Sequence, residues 1–134
     1  MKKLFYLRAA TCLPLVTALC FLLTACGPSC NGEGGPVSID DIRGTWEIYE
    51  TDVSGRSPGD QMTIEGKVVT WDLNGTIIRR NIEPFGDRGM THLEPETDYT
   101  ENYCMQLKKT DGQPDELWLT MPGLEGQSKF RRVE

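Results

Sequence analysis

From residue 46 onward, apolar and polar positions alternate in short runs separated by turn residues. Trp46-Glu47-Ile48-Tyr49-Glu50 places Trp46 and Ile48 on one face of a strand. Met62 and Ile64 begin a second, and Glu65-Gly66 offers a tight turn. Val69, Trp71 and Leu73 share the inner face of a third, with Thr70 and Asp72 outside. Asn74-Gly75 is the strongest short hairpin signal in the chain, and Thr76-Ile77-Ile78-Arg79-Arg80 follows it. Met90 to Leu93 forms a weak strand. Tyr103, Met105 and Leu107 alternate with Cys104, Gln106 and Lys108. Asp111-Gly112-Gln113-Pro114-Asp115 turns the chain into Glu116 to Thr120, and Lys129 to Val133 closes it. Helical spacing is nearly absent; Ser38 to Ile42 allows one helical turn with Ser38 as N-cap. Seven or eight short antiparallel strands predict an all-β domain, a small barrel or sandwich, over residues 38–134.

The first 37 residues have a different pattern. Lys2, Lys3 and Arg8 precede an uncharged stretch centred on LPLVTALCFLL, shorter than the roughly 20 apolar residues of a spanning helix and interrupted by Pro14. A basic start, a short apolar centre and small residues at its end describe an export signal. Its last four residues, Leu23-Thr24-Ala25-Cys26, resemble the lipobox of bacterial lipoprotein signal peptides. The alternative is an uncleaved signal anchor or a plain secretory signal. The resemblance implies cleavage after residue 25 and a diacylglycerol thioether on Cys26, with a fatty acyl group such as palmitate on its new amino terminus. It also implies attachment to the bacterial cell envelope. Gly27 in place of Asp favours the outer membrane, with the domain facing the periplasm. Residues 26–37, rich in Gly and Pro, read as a lipidated flexible tether.

Charge narrows the choice of partners. The 134-residue chain has 14 basic and 20 acidic side chains. Loss of Lys2, Lys3 and Arg8 with the signal leaves 11 against 20, a net charge of −9. Such a body does not neutralise phosphate backbones, so no nucleic-acid partner is expected. Anionic lipid repels it too, which leaves the lipid anchor to hold it at the membrane.

Gly44-Thr45-Trp46, entering the first strand after one helical turn, resembles the G-x-W opening of lipocalins. The resemblance implies an up-and-down antiparallel barrel of about eight strands whose closed end is plugged by Trp46. It further implies that an Arg near the last strand, Arg131 or Arg132, packs across that ring, and that Thr97-Asp98-Tyr99 lies near the same end. The domain is much shorter than a full lipocalin, and a helix before its last strand is not apparent. A barrel so small can be filled by its own side chains.

No catalytic, metal or cofactor site is expected. His92 has Glu94, Glu96 and Asp98 nearby but no nucleophile in a recognisable motif, and it reads as a surface residue in a polar loop. The cluster Glu94, Glu96, Asp98 and Glu101 lacks the ligand ladder of a calcium loop and reads as solvated. Trp118, out of phase with Leu117 and Leu119, points outward, to pack against the tether or the barrel rim or else to anchor a partner. Arg79-Arg80 protects a strand edge. Cys30 and Cys104 form an even pair in an oxidising compartment; they are either a disulfide or two free thiols. The expected function is non-enzymatic. Either a small apolar ligand is lined by Ile48, Met62, Ile64, Val69, Trp71, Leu73, Met105 and Leu107, or a filled barrel docks an envelope protein or polymer.

Overall fold

A computed structural model describes residues 30, 34–123 and 125–133. The export signal and Cys26 lie outside the described residues. A single 3-10 turn, Asp40–Ile42, precedes eight strands: β1 Gly44–Thr51, β2 Gln61–Glu65, β3 Val68–Leu73, β4 Thr76–Phe85, β5 Gly89–Leu93, β6 Thr100–Lys108, β7 Glu116–Thr120 and β8 Gln127–Arg132. Each pairs antiparallel with the next, and β8 returns to β1, so the sheet closes as an up-and-down barrel. This is the all-β class that the alternation predicts, and of its two expected forms the barrel rather than the sandwich. Closure removes the edge that Arg79-Arg80 was expected to protect, since β4 is hydrogen-bonded on both sides.

Turn chemistry fixes the register. Asn74 and Gly75 both adopt positive φ, 53° and 87°, as a two-residue hairpin of this twist requires. The turn pairs Leu73 with Thr76 and Trp71 with Ile78. Directly opposed residues share a face, so Ile78, Arg80 and Ile82 point inward with Trp71 and Val69. In the same way His92 follows Ile82 inward, and Glu101, Tyr103 and Met105 line the inner face of β6.

One cluster fills the closed half of the barrel. Trp46, Ile48, Met62, Ile64, Ile82, Met90, Met105, Leu117, Leu119 and Phe130 are all at most 1% exposed. Val37 joins them, and its N–H donates to Asp87 O at 2.8 Å. Cys30 is disulfide-bonded to Cys104, whose Cα lies 5.3 Å away, on the outside of β6. Closing a loop of 74 residues removes unfolded-chain entropy worth about 4 kcal/mol. Ser38 and Asp41 exchange hydrogen bonds, Ser38 N and Oγ donating to Asp41 Oδ2 and Asp41 N to Ser38 Oγ, which secures the turn that leads into β1.

Candidate functional site

The two ends of the barrel are built differently. At the closed end Gly44, with φ 116°, swings the chain from the 3-10 turn into β1 and delivers Trp46 to the axis. The indole N–H donates to Ile42 O at 2.8 Å, so burial of Trp46 leaves no unmet donor. The Arg132 guanidinium lies 4.2 Å from the ring centroid. It donates to Asp41 O at 3.0 Å, to Arg43 O and to the Asp115 carboxylate at 3.3 Å. Arg132 is therefore the closing arginine; Arg131 faces outward over Tyr49, 5.0 Å from its ring. A groove of about 620 Å³ lies outside this end, between the segment at residues 36–43 and the turns at Gly66 and Gly86.

At the open end the core gives way to a cup of about 270 Å³. Trp71, Leu73, Ile78, His92 and Tyr103 form much of its wall, with Arg80 and Glu101 among them, and Met121 closes one side. The loop at residues 52–60 crosses the mouth and inserts Arg56. Its guanidinium stands 4.5 Å from the Trp71 ring centroid and 5.3 Å from that of Tyr103. Arg56 donates to Tyr103 Oη at 2.8 Å and to Ser128 Oγ at 3.2 Å. Tyr103 in turn donates to Glu101 Oε2 at 2.7 Å, while Tyr99 donates to Oε1 at 2.9 Å. Asp60, which is buried, receives N–H donors from Ser57 at 2.8 Å and Asn74 at 2.9 Å, and so holds the base of the loop against the β3–β4 hairpin.

His92 is the chemical centre of the cup. It is 2% exposed, 4.4 Å from the Tyr103 ring and 6.0 Å from Trp71, and its Nε2 is buried without a hydrogen-bond partner. It is the one such side-chain nitrogen or oxygen among the described residues. Burial lowers its pKa to about 3; the Glu101 carboxylate opposes this and the Arg56 and Arg80 cations add to it, so His92 is neutral at pH 7. For Glu101, burial pushes the pKa up, but hydrogen bonds from Tyr103 and Tyr99 outweigh it and keep the carboxyl ionised. Burial raises the Tyr103 pKa, so its hydroxyl stays protonated and links Arg56 to Glu101. Arg80 is neutralised by Glu94 at 3.0 Å.

These positions correct several expectations. His92 is no surface residue, because inward phase on β5 takes it to the axis. Glu101 belongs to the cup, and Glu94 is paired rather than free in a solvated loop. Thr97-Asp98-Tyr99 lies in the β5–β6 connection, at the opposite end from Trp46. Trp118 does point outward, where Lys108 and Lys129 lie 3.2 Å and 4.7 Å from its ring and Glu116 accepts its N–H. Of the residues expected around a ligand, Trp71 and Leu73 line the cup. Ile48, Met62, Ile64, Val69 and Met105 are packed in the core below, which partly buried Leu107 joins. Arg56, Arg80, His92, Glu101 and Tyr103 were missed as a group. Strand phase was the available signal: Arg80 stands two residues from Ile78 and Ile82, and His92 two from Met90.

No protein-family model matches the chain, and neither the curated proteins nor the solved structures contain a match to it. Fold and site define a closed eight-stranded antiparallel barrel with a solid base and a polar, aromatic cup at its mouth. Among the described residues no group of three or more His, Cys, Asp or Glu is placed to hold a metal ion, and no helix is long and apolar enough to cross a membrane.

Proposed function

We propose that the protein is a lipid-anchored envelope protein whose barrel binds a small molecule non-covalently in the cup at its open end. The observation that carries this reading is an open cup of about 270 Å³ walled by His92, Trp71 and Tyr103, with His92 Nε2 buried and without a hydrogen-bond partner. An unmet polar atom at such burial costs about 1–3 kcal/mol, which marks this wall of the cup as kept for something other than stability. The space is just below the roughly 300–1,000 Å³ of most small-molecule pockets, and its lining is mixed rather than apolar, which favours a compact ligand with one polar group over a long hydrocarbon. The alternative, a barrel that docks an envelope protein or polymer by its outer surface, is favoured by the filled core below Trp71.

Anchoring follows from the LTAC box that ends at Cys26. Native mass spectrometry of the full chain isolated from its own host tests both parts. A lipid mass on an N-terminal Cys26, and a second, non-covalent mass that His92→Phe eliminates, are the expected results. A host-purified chain with no added small molecule would overturn the binder in favour of docking. An unmodified N-terminus at another residue would overturn the anchor.

A further inference from the structure

We infer that the cup accepts a small organic cation, a guanidinium or ammonium group on a short apolar body, and that Arg56 occupies the place of that cation in the chain by itself. This rests on the small-ligand reading above and names its ligand class.

The groups that line the cup around Arg56 are electron-rich. Trp71 and Tyr103 offer ring faces, where a guanidinium is attracted by the negative quadrupole. Tyr103 and Ser128 offer hydroxyl oxygens, and Tyr103 passes its own proton toward the ionised Glu101. Neutral His92 can present a lone pair at Nε2, the atom that still lacks a partner. All but the last are already used by a guanidinium, that of Arg56, at 4.5 Å from the Trp71 centroid and 2.8 Å from Tyr103 Oη. No carboxylate pairs directly with Arg56 among the described ion pairs, so its charge is balanced through Tyr103 by Glu101.

The manner in which Arg56 is held is the second observation. It comes from a connection rather than a strand, and Ser54, Gly55, Ser57, Pro58 and Gly59 around it are all exposed. Its side chain gives up two hydrogen bonds and its ring contacts on leaving, and an arriving cation restores them. Leu73, Ile78 and Met121 line the same cup and are there to cover its apolar part. An anion would face Glu101, whose charge two tyrosine hydroxyls stabilise, while Arg80 is already paired with Glu94. The net charge of −6 on the full chain draws cations toward the surface in the same sense.

The probe is benzamidinium, with benzoate as its planar anionic counterpart, titrated calorimetrically into the full chain. If Arg56 holds the cup most of the time, apparent affinity is reduced by the fraction of time the cup is open. Arg56→Ala should therefore bind benzamidinium about tenfold more tightly than the unaltered chain. The double change Arg56→Ala with Glu101→Gln should lose that gain, and benzoate should bind none of the three better than the unaltered chain. Unchanged near-ultraviolet circular dichroism checks that each variant keeps its fold. Benzamidinium affinity that falls or stays level in Arg56→Ala overturns the inference, as does benzoate binding that depends on Arg56. If benzamidinium fails while the host-purified chain carries a neutral or acidic molecule, the cation is wrong and the small-ligand reading stands. If both fail, both fall.

Discussion

Two arginines lie over two tryptophans at opposite ends of this barrel, and they serve different ends. Arg132 stacks 4.2 Å over Trp46, and Arg56 stacks 4.5 Å over Trp71, so the ring contacts are nearly the same. Their other partners are not. Arg132 projects from β8 and bonds to two backbone carbonyls and a carboxylate, which ties the last strand to the segment before the first. Arg56 projects from a connection and bonds to two side-chain hydroxyls. The first arrangement completes a structure; the second fills a space that another group can take. Polar satisfaction follows the same division, since the Trp46 indole N–H is paired and the His92 Nε2 is not.

The largest effect should come from the closed end. Trp46→Ala removes a wholly buried ring from the centre of the core and should cost about 3–5 kcal/mol, enough to leave a domain of this size largely unfolded. Urea denaturation followed by circular dichroism measures it. A loss below about 1 kcal/mol would mean that the plug is dispensable and would dissolve the distinction between the ends.

The next effect belongs to the cup and depends on pH. His92 has a depressed pKa in the folded state, about 3 against 6.5, so the unfolded chain takes up a proton first as pH falls. Its contribution is complete above pH 6.5 and is lost between 6.5 and about 3, with a limiting slope of about 1.4 kcal/mol per pH unit. The lowered pKa of Glu101 acts in the same direction but only below its ordinary value of 4.5, which leaves the window from 6.5 to 4.5 to His92. In that window His92→Phe should flatten the dependence of the denaturation midpoint on pH. At pH 7 it should raise stability by about 1 kcal/mol, because an unmet buried polar atom is replaced by carbon. A parallel pH profile for the two proteins would show that His92 titrates normally and is solvated.

The smallest effects compare the arginines directly. Arg132→Ala uncovers Trp46 and unties β8 from the carbonyls of Asp41 and Arg43, for an expected loss of about 1–2 kcal/mol. Arg56→Ala should cost about 1.4 kcal/mol in the chain by itself, the free energy of a tenfold preference for the occupied cup, and saturating benzamidinium should recover it. A loss of that size that benzamidinium leaves unchanged, read from denaturation midpoints, would make Arg56 a structural clamp like Arg132.

Much of this barrel is legible along the chain. Alternation around Trp46, Val69-Trp71-Leu73 and Tyr103-Met105 gives strands whose buried faces are those found, because a period of two is a local property of extended backbone. The Asn74-Gly75 hairpin is equally local, since its positive φ angles favour those two residue types. The cup is legible in part. Trp71 and Leu73 announce themselves as apolar, whereas Arg80, His92 and Glu101 stand at inward phase with polar side chains and so read as surface.

The sequence by itself thus determined the all-β class and the positions of most strands and turns, each set by local backbone preference. The G-x-W resemblance implied the plugging Trp46, while the choice between a disulfide and two free thiols at Cys30 and Cys104 stayed open. Only the tertiary structure decided which end of the barrel closes and which stays open, that Arg132 rather than Arg131 covers Trp46, and that Arg56, His92, Glu101 and Tyr103 meet. Residues from three separate segments converge there because the sheet curls and closes. Whether a polar side chain on an inward face meets water, an ion pair or a neighbouring ring depends on what the opposite wall contributes, and no alternation within a single strand encodes that.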